Sequence, residues 1–422
     1  MHSSVPPQIP GEQVPDGDAE GLREYVAQLL QRGTTRFPGA QPVSFAREHI
    51  SKLQEVEYFM CEKTDGVRVL LFLHYISEEN SVSPATLLID RKNNYYDVRP
   101  PLRFPYYKDP NDPNMFLCDT ILDGELVHDV VAGQPPRLIF YAFDCLVMDG
   151  INHTKRTLDK RIGYMKEQLF KPYYHWLKTH NNIPMSPEPF RVKEKQVYSA
   201  YNLTEMFNTI LPNLPHGNDG LVFTCKTTPY NFGTDKNILK WKPPHENTID
   251  FKLRIGEFPP IEPEEGDEGP PYPDYDAVPD ARLLVQHNKG DYRVFAPLYL
   301  PASDWESMKS LNQRLDGRII ECYRDAQGRW RYKQEADGTP RWRDDKTDAN
   351  HISTVSSVLE SLQDPVTEED LLAAEERIRR EVKRMRREEE ERVKIWQREQ
   401  AEKVEAGRKR RFSAVGGEDE GR

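Results

Sequence analysis

The chain has no uninterrupted apolar stretch of the roughly 18 residues that a membrane-spanning helix requires. Met1 to Glu20 carry proline, glycine and acid where a secretory leader would carry a basic and then an apolar segment. A soluble, non-secreted protein with no membrane partner is the expectation. Cysteine is scarce: five residues (Cys61, Cys118, Cys145, Cys225, Cys322) are scattered through 422, with no C-x-x-C pair to supply half a zinc site. They are expected to be reduced and built into the core or into strands. An excess of positive charge is also missing. Lys and Arg number 58 against 69 Asp and Glu, a net charge of −11, so the surface as a whole cannot attract polyphosphate and any such contact must come from a local basic groove.

What is present suffices for two compact domains and tails. Residues 1–20 read as disordered, because proline, glycine, serine and acid leave little to bury. Residues 21–248 hold apolar or alternating runs between turn signals at Tyr58 to Glu62, Val67 to Tyr75, Ala85 to Asp90, Thr120 to His128, Arg137 to Asp144 and Gly220 to Cys225. Helical patterns are fewer, chiefly Thr157 to Phe170 and Ser199 to Ile210, so the fold class is α+β with largely antiparallel sheets. A second strand-rich block spans 249–362, interrupted by a Pro- and acid-rich loop at 259–280. The remainder, 363–422, is a charged helical tail. Thr367 caps it with Asp370 at the third position, and Leu371, Ile378, Val382, Met385, Val393 and Trp396 sit among dense charges. Their spacing is too irregular for a coiled coil, and the reading taken is a solvated, charge-laddered helix.

The segment Tyr58-Phe-Met-Cys-Glu-Lys63-Thr-Asp-Gly66-Val-Arg68 places a lysine in a Gly-containing turn between two strands. A lysine amine is a poor nucleophile near its ordinary pKa of about 10.4 and becomes reactive through desolvation or neighbouring cations. Alone, K-x-D-G describes an exposed turn lysine. Four further segments follow in order: Leu122-Asp-Gly-Glu125-Leu-Val, Phe143-Asp-Cys-Leu-Val-Met-Asp149-Gly, Asn218-Asp219-Gly220-Leu-Val-Phe and Leu239-Lys240-Trp-Lys242-Pro. Lys240 and Lys242 share a strand face by the period of two, an arrangement suited to phosphate between them. The same field favours the neutral form of a nearby third lysine. Taken singly, Phe143 would be a core residue, Asp219-Gly220 a turn and Glu125 a solvated strand carboxylate.

In this order and spacing the five segments, over about Lys52 to Lys346, resemble the covalent nucleotidyltransferase superfamily of capping enzymes and polynucleotide ligases. Asp219 at the fourth segment, Asp250 after the paired lysines and the run His216-Gly-Asn-Asp-Gly220 look like the capping branch, most like its fungal-type guanylyltransferase subunit. The family's last motif, R-x-D-K, stands as Arg343-Asp344-Asp345-Lys346 in a stretch charged enough to read otherwise as a solvated loop.

The resemblance implies a nucleotidyltransferase domain followed by an OB-fold domain, and transfer of GMP from GTP through Lys63 to a 5′-diphosphate RNA end. It implies that Arg68 and Glu125 hold the ribose and that Phe143 stacks on guanine. Lys240 and Lys242 would meet the α-phosphate, Asp219 a divalent metal (Mg2+ or Mn2+), Arg343 and Lys346 the outer phosphates, and Asp250 would stand close to that triphosphate. Lys193, in Phe190-Arg-Val-Lys193, is assigned to the base oxygen, with a surface lysine as the equal alternative. No H-C-x5-R run surrounds any cysteine, so a cysteine-type triphosphatase is not encoded here. The family implies a separate RNA 5′-triphosphatase, the phosphorylated tail of RNA polymerase II as a partner, and the nucleus as location. Gly407 to Arg411 reads as a nuclear-import signal or as a basic tail end. The competing readings are an ATP-dependent polynucleotide ligase and an inactive scaffold of a capping complex.

Overall fold

The computed structural model describes residues 7–78, 81–179, 188–263, 270–325, 327–335, 337–344 and 346–415; the side chains of 78, 245, 361 and 404–415 fall outside the description. The architecture is α+β, and no described helix is long and apolar enough to cross a membrane. The strand Val67–Glu78 sits near the middle of an eight-stranded sheet, between Ser81–Ile89 and Thr120–Asp129, with Arg137–Met148 next outward. Its continuous apolar run is explained by burial on both faces. Val69, Leu71 and Leu73 enter one core with Leu122, Leu126 and Phe140, whereas Leu70 and Phe72 enter another with Ile89, Ile121 and Leu146.

That second core is sealed by residues expected to be disordered. The helix Asp16–Leu29 lays Ala19, Val26 and its C-terminal neighbour Leu30 against it, and Glu12–Gln13 pairs antiparallel with Tyr95–Asp97. Composition averaged over the first 20 residues hides this, because the apolar stripe of Ala19, Leu22 and Val26 starts inside the acidic stretch. Asp16 and Asp18 stand in the first turn, where the helix dipole favours them.

A second sheet, in the order Tyr198–Ser199, Tyr58–Thr64, Asn218–Cys225, Gly233–Trp241, Ala40–Ser44, packs Tyr58, Met60, Leu221, Phe223, Leu239 and Trp241 into a third core. The lid of this core comes from the far end of the chain. The helix Glu368–Val415 buries Leu371, Ala374, Ile378 and Val382 there, each at most 1% exposed. The expected solvated helix is therefore solvated only beyond about Met385, where Val393, Ile395 and Trp396 are exposed. Four buried residues at 371, 374, 378 and 382 are a helical stripe that the flanking charges obscure. Its polar residues reach across as well: Glu375 accepts from the Thr204 amide at 3.0 Å and the Arg386 guanidinium meets Glu57 at 3.0 Å. Thr367 and Asp370 cap each other reciprocally, as the sequence indicates.

Between these two parts lies a barrel. Strands Ile249–Ile255, Ala281–Asn288, Asp291–Pro297, Ile319–Arg324 and Trp330–Tyr332 pair antiparallel, and Leu298 meets Trp330 in parallel to close the ring. The helix Ala302–Ser310 lies in the chain between the third and fourth of these strands. Within 259–280 a short pair, Pro260–Ile261 with Tyr272–Pro273, stands on the surface. The barrel is tethered at both ends. Trp241 Nε1 donates to the Val366 carbonyl at 2.8 Å, so the outgoing segment returns beside the incoming one, and Arg47 grips Asp364, Pro365 and Asp370.

Burying a Leu, Ile or Val side chain contributes about 1.5 to 3 kcal/mol, so the stripe at 371–382 amounts to a large share of the roughly 5 to 15 kcal/mol that stabilises a domain. A chain ending at Gln363 is therefore expected to be insoluble or to lose its cooperative thermal transition. One ending at Arg392 should melt within a few degrees of the full chain. Equal melting temperatures for all three would contradict the packing role.

Candidate active site

The strand Tyr58–Thr64 alternates in burial, with Tyr58, Met60, Glu62 and Thr64 inside and Lys63 on the opposite face. At Asp65-Gly66 the chain leaves the second sheet and enters the first, and Lys63 stands at that crossing. Only glycine fits the crossing, because a Cβ on Gly66 would lie 2.4 Å from the Leu126 carbonyl oxygen. Gly220, at φ +143°, has the same role on the neighbouring strand, where a Cβ would meet the Trp241 oxygen at 2.0 Å. Its absence lets Asp219 reach two lysines at once.

Asp219 Oδ1 is 2.7 Å from Lys63 Nζ, and Oδ2 is 2.6 Å from Lys242 Nζ. Burial alone would raise this carboxyl, but the charges of Lys242 and Lys63 hold it below its usual range. Lys242 is raised in return, Asp219 outweighing the effect of burial. Lys240 has no such partner among the described residues. Burial, with Lys242, Lys63 and Arg91 nearby, lowers its ammonium to about 8. The sequence places the effect of this field on Lys63; the structure lowers Lys240. Asp65 is raised by burial and by the charge of Asp219.

Further along the cleft, Arg68 lies over the Phe143 ring at 5.6 Å to the centroid. Its guanidinium is clamped by the buried Asp123 at 2.9 and 2.6 Å, and Tyr230 donates to the same carboxylate at 2.5 Å. Arg68 is directly opposite Glu125 in the ladder. The Glu125 carboxyl is pushed up by burial against the pull of Lys195, Lys63 and Arg68. Phe143 sits where the pairing of Thr120–Asp129 with Arg137–Met148 shifts register, between Ala142 and Asp144. That bulge frees its ring from the core and turns it to the cleft.

The barrel contributes a separate cluster. Arg343 Nη1 is 3.3 Å from Asp250 Oδ1, Lys346 Nζ meets the other oxygen, and Glu321 is 3.6 Å from Arg343. The charge of Arg341 reaches Asp65, and that of Glu321 reaches Lys242, so the cluster borders the cleft.

Lys193 is not part of this assembly. It lies on Arg191–Glu194, its Nζ ion-paired with Asp129 at 2.9 Å and its side chain 44% exposed. Two residues on, Lys195 is buried, bonds Glu62 at 3.0 Å and also Thr64, and its backbone amide donates to the carbonyl of Ala142, the residue before Phe143. Lys195 follows the end of the strand Arg191–Glu194, and its charge acts on Glu125. Arg91 was also missed. It follows the strand Ser81–Ile89, is exposed, makes no ion pair among the described residues, and its charge acts on Lys240. Its Asp-Arg-Lys-Asn setting reads as an ordinary turn.

A strand lysine held beside a carboxylate and two further lysines, with an arginine over an aromatic ring nearby and a second basic cluster on a tethered barrel, defines a covalent nucleotidyltransferase. The catalytic domain of mRNA capping enzymes matches residues 6–244 and their C-terminal domain residues 246–372. The chain is 43% identical over 365 residues to the mRNA-capping enzyme subunit alpha of Schizosaccharomyces pombe, covering 86% of each. It is 44% identical to that of Neurospora crassa, covering 86% of this chain and 90% of that one, and 35% identical to that of Saccharomyces cerevisiae, covering 88% and 86%. Among solved structures, an ATP-dependent DNA ligase from bacteriophage T7 in complex with ATP gives a TM-score of 0.31 at 16% identity, over 72% of this chain and 96% of that one, and nothing is drawn from so distant a likeness. The chain belongs to the mRNA capping enzyme family, and it is an mRNA guanylyltransferase with GTP as its substrate.

With its ammonium at about 8, Lys240 is half neutral near that pH, and a phosphate placed beside it restores the proton. Binding of GMP, which carries the α-phosphate and no leaving group, should therefore take up a fraction of a proton at pH 8, whereas at pH 6 the phosphate, with its second pKa at about 6, should instead release one in part. Calorimetry in buffers of different ionisation enthalpy reads this directly. Lys240→Met should abolish the uptake; an undiminished uptake in that variant would assign it elsewhere.

Proposed function

We propose that guanylyl transfer runs through Lys63, and the observation that carries this is its shared carboxylate: Asp219 holds Lys63 and Lys242 by separate oxygens, with Lys240 alongside. The Lys63 amine, having lost a proton, attacks the α-phosphorus of GTP; the P–N bond forms as the P–O bond to pyrophosphate breaks. A β-phosphate oxygen of 5′-diphosphate RNA then attacks the same phosphorus, lysine leaves, and the GpppN cap is released. Little covalent chemistry is asked of the protein beyond placement and charge compensation. Lys240 and Lys242 meet the α-phosphate, Arg68 and Glu125 the ribose, and Phe143 stacks on guanine. Lys195 takes the place expected of Lys193: its ammonium donates to the base oxygen, where the amino group of adenine offers no acceptor.

Asp219 and Asp65 suit a Mg2+ or Mn2+ ion, which characteristically takes one or two carboxylates and fills its shell with phosphate oxygens and water. Such an ion supplies charge neutralisation to the triphosphate. The relatives are named as alpha subunits, which supports a partner subunit for this chain, with RNA 5′-triphosphatase activity as the reaction that prepares its acceptor. The phosphorylated tail of RNA polymerase II as a second partner, and a nuclear location served by the basic run at 407–411, complete the reading.

Incubation with labelled GTP, but not labelled ATP, should leave label on the denatured chain; labelling by ATP alone would favour the ligase reading. The Arg343, Lys346 and Asp250 cluster belongs to the barrel, so its use on the outer phosphates requires the barrel to close on the cleft. Pyrophosphate carries those phosphates away, after which the barrel opens for RNA. A charged hydrogen bond contributes about 1.5 to 3 kcal/mol, so Arg343→Ala or Lys346→Ala should slow adduct formation by roughly ten- to a hundredfold. Purified adduct on either variant should still pass GMP to diphosphate RNA at close to the normal rate. Equal slowing of both half-reactions would defeat the closure argument.

A further inference from the structure

Behind the base end of the cleft runs a chain of buried charges that the transfer chemistry leaves unused. Lys195 Nζ bonds Glu62 Oε1 at 3.0 Å. The same oxygen is 3.4 Å from His216 Nε2, and His216 Nδ1 is 3.0 Å from Asp129 Oδ1. Asp129 also accepts from Tyr141 at 2.8 Å and pairs with Lys193 at 2.9 Å. Glu62, Asp129, Lys195 and His216 are each at most 5% exposed. A buried charge is tolerated only with its partners in place, so no member of this chain shifts alone.

His216 is the link. Each ring nitrogen faces a carboxylate, and only the imidazolium donates from both; accordingly its proton is held above the usual range by Asp129 and Glu62, against burial and Lys195. Its two contacts join Asp129, on a strand of the first sheet, to Glu62, the residue before Lys63 on the second. The ring also packs on Tyr141 at 5.0 Å between centroids.

We infer that His216 is a positioning residue for base selection: by tying Glu62 to Asp129 across the two sheets it fixes the Lys195 ammonium, whose backbone is bonded next to Phe143. Without it Glu62 would be free to turn, and Lys195 would follow its counterion instead of facing the base. The inference rests on the base-reading role assigned to Lys195. It gives the outer lysine, Lys193, a different part from the one read in the sequence, as the terminal counter-charge on Asp129.

The test compares covalent labelling from GTP and ATP, as maximal rate and half-saturating concentration, for the full chain and for His216→Gln, whose amide cannot donate to both carboxylates. Loss of one well-placed donor to the base is expected to raise the half-saturating GTP concentration about tenfold and to narrow the GTP-to-ATP preference by a similar factor. The maximal rate should stay within about threefold, because Lys63 and its phosphate ligands are untouched. Lys195→Met is run in parallel. If it narrows the preference while His216→Gln leaves it unchanged, the positioning role is overturned and the base-reading role stands. If Lys195→Met itself leaves the preference unchanged, the base-reading role fails, and the inference with it. Should His216→Gln melt far below the full chain, Asp129→Asn takes its place, keeping the imidazole but removing its outer charge, and the same narrowing at an unchanged maximal rate is required of it.

Discussion

The cleft is organised by one carboxylate with two lysines to hold. Asp219 orients Lys63 through one oxygen and Lys242 through the other, and it reaches both only because Gly220 lets its strand approach the Trp241 backbone. At rest Asp219 pairs with two lysines, and Lys240, without an ion pair among the described residues, has its ammonium lowered to about 8. A triphosphate entering this space meets lysines already aimed, which is the preorganisation that phosphoryl transfer rewards. The same logic recurs on the barrel, where Asp250 holds Arg343 and Lys346 ready.

Placing these parts on separate bodies has a structural cost that the C-terminal helix meets. The barrel is an insertion between the strand ending at Trp241 and the helix that seals the same core, so the chain crosses between the bodies twice. The crossings lie side by side, joined by the bond from Trp241 to Val366. The exposed charged length of the helix beyond Met385 takes no part in this.

Much of this was legible in the sequence where a local rule decides. Strand positions followed from alternation and turn residues, and Asp219 meets Lys63 and Lys242 from two other motifs. The double burial of Val67–Glu78 is written in its unbroken apolar run. What was not legible depended on partners distant in the chain. The apolar stripe at Leu371, Ala374, Ile378 and Val382 is diluted by charges and shows its meaning only against Leu53, Met206 and Trp241. The helix Asp16–Leu29 was hidden by the acidic composition of its first turn. Lys193 and Lys195 look alike in the sequence, and what separates them is their distant partners, Asp129 for the exposed one and Glu62 with Thr64 for the buried one. Arg91 carries no motif that distinguishes it from any turn arginine.

The central claim is that the GMP bond is made at Lys63 and nowhere else. Incubation of the full chain with GTP and magnesium, without RNA, followed by peptide mapping under alkaline conditions that spare a P–N bond, tests it most directly. The account predicts one GMP per chain, located on the peptide containing Lys63, removed by mild acid, and absent from Lys63→Arg, whose guanidinium does not give up its proton. A GMP adduct on Lys240 or Lys242, or an adduct persisting in that variant, would contradict it.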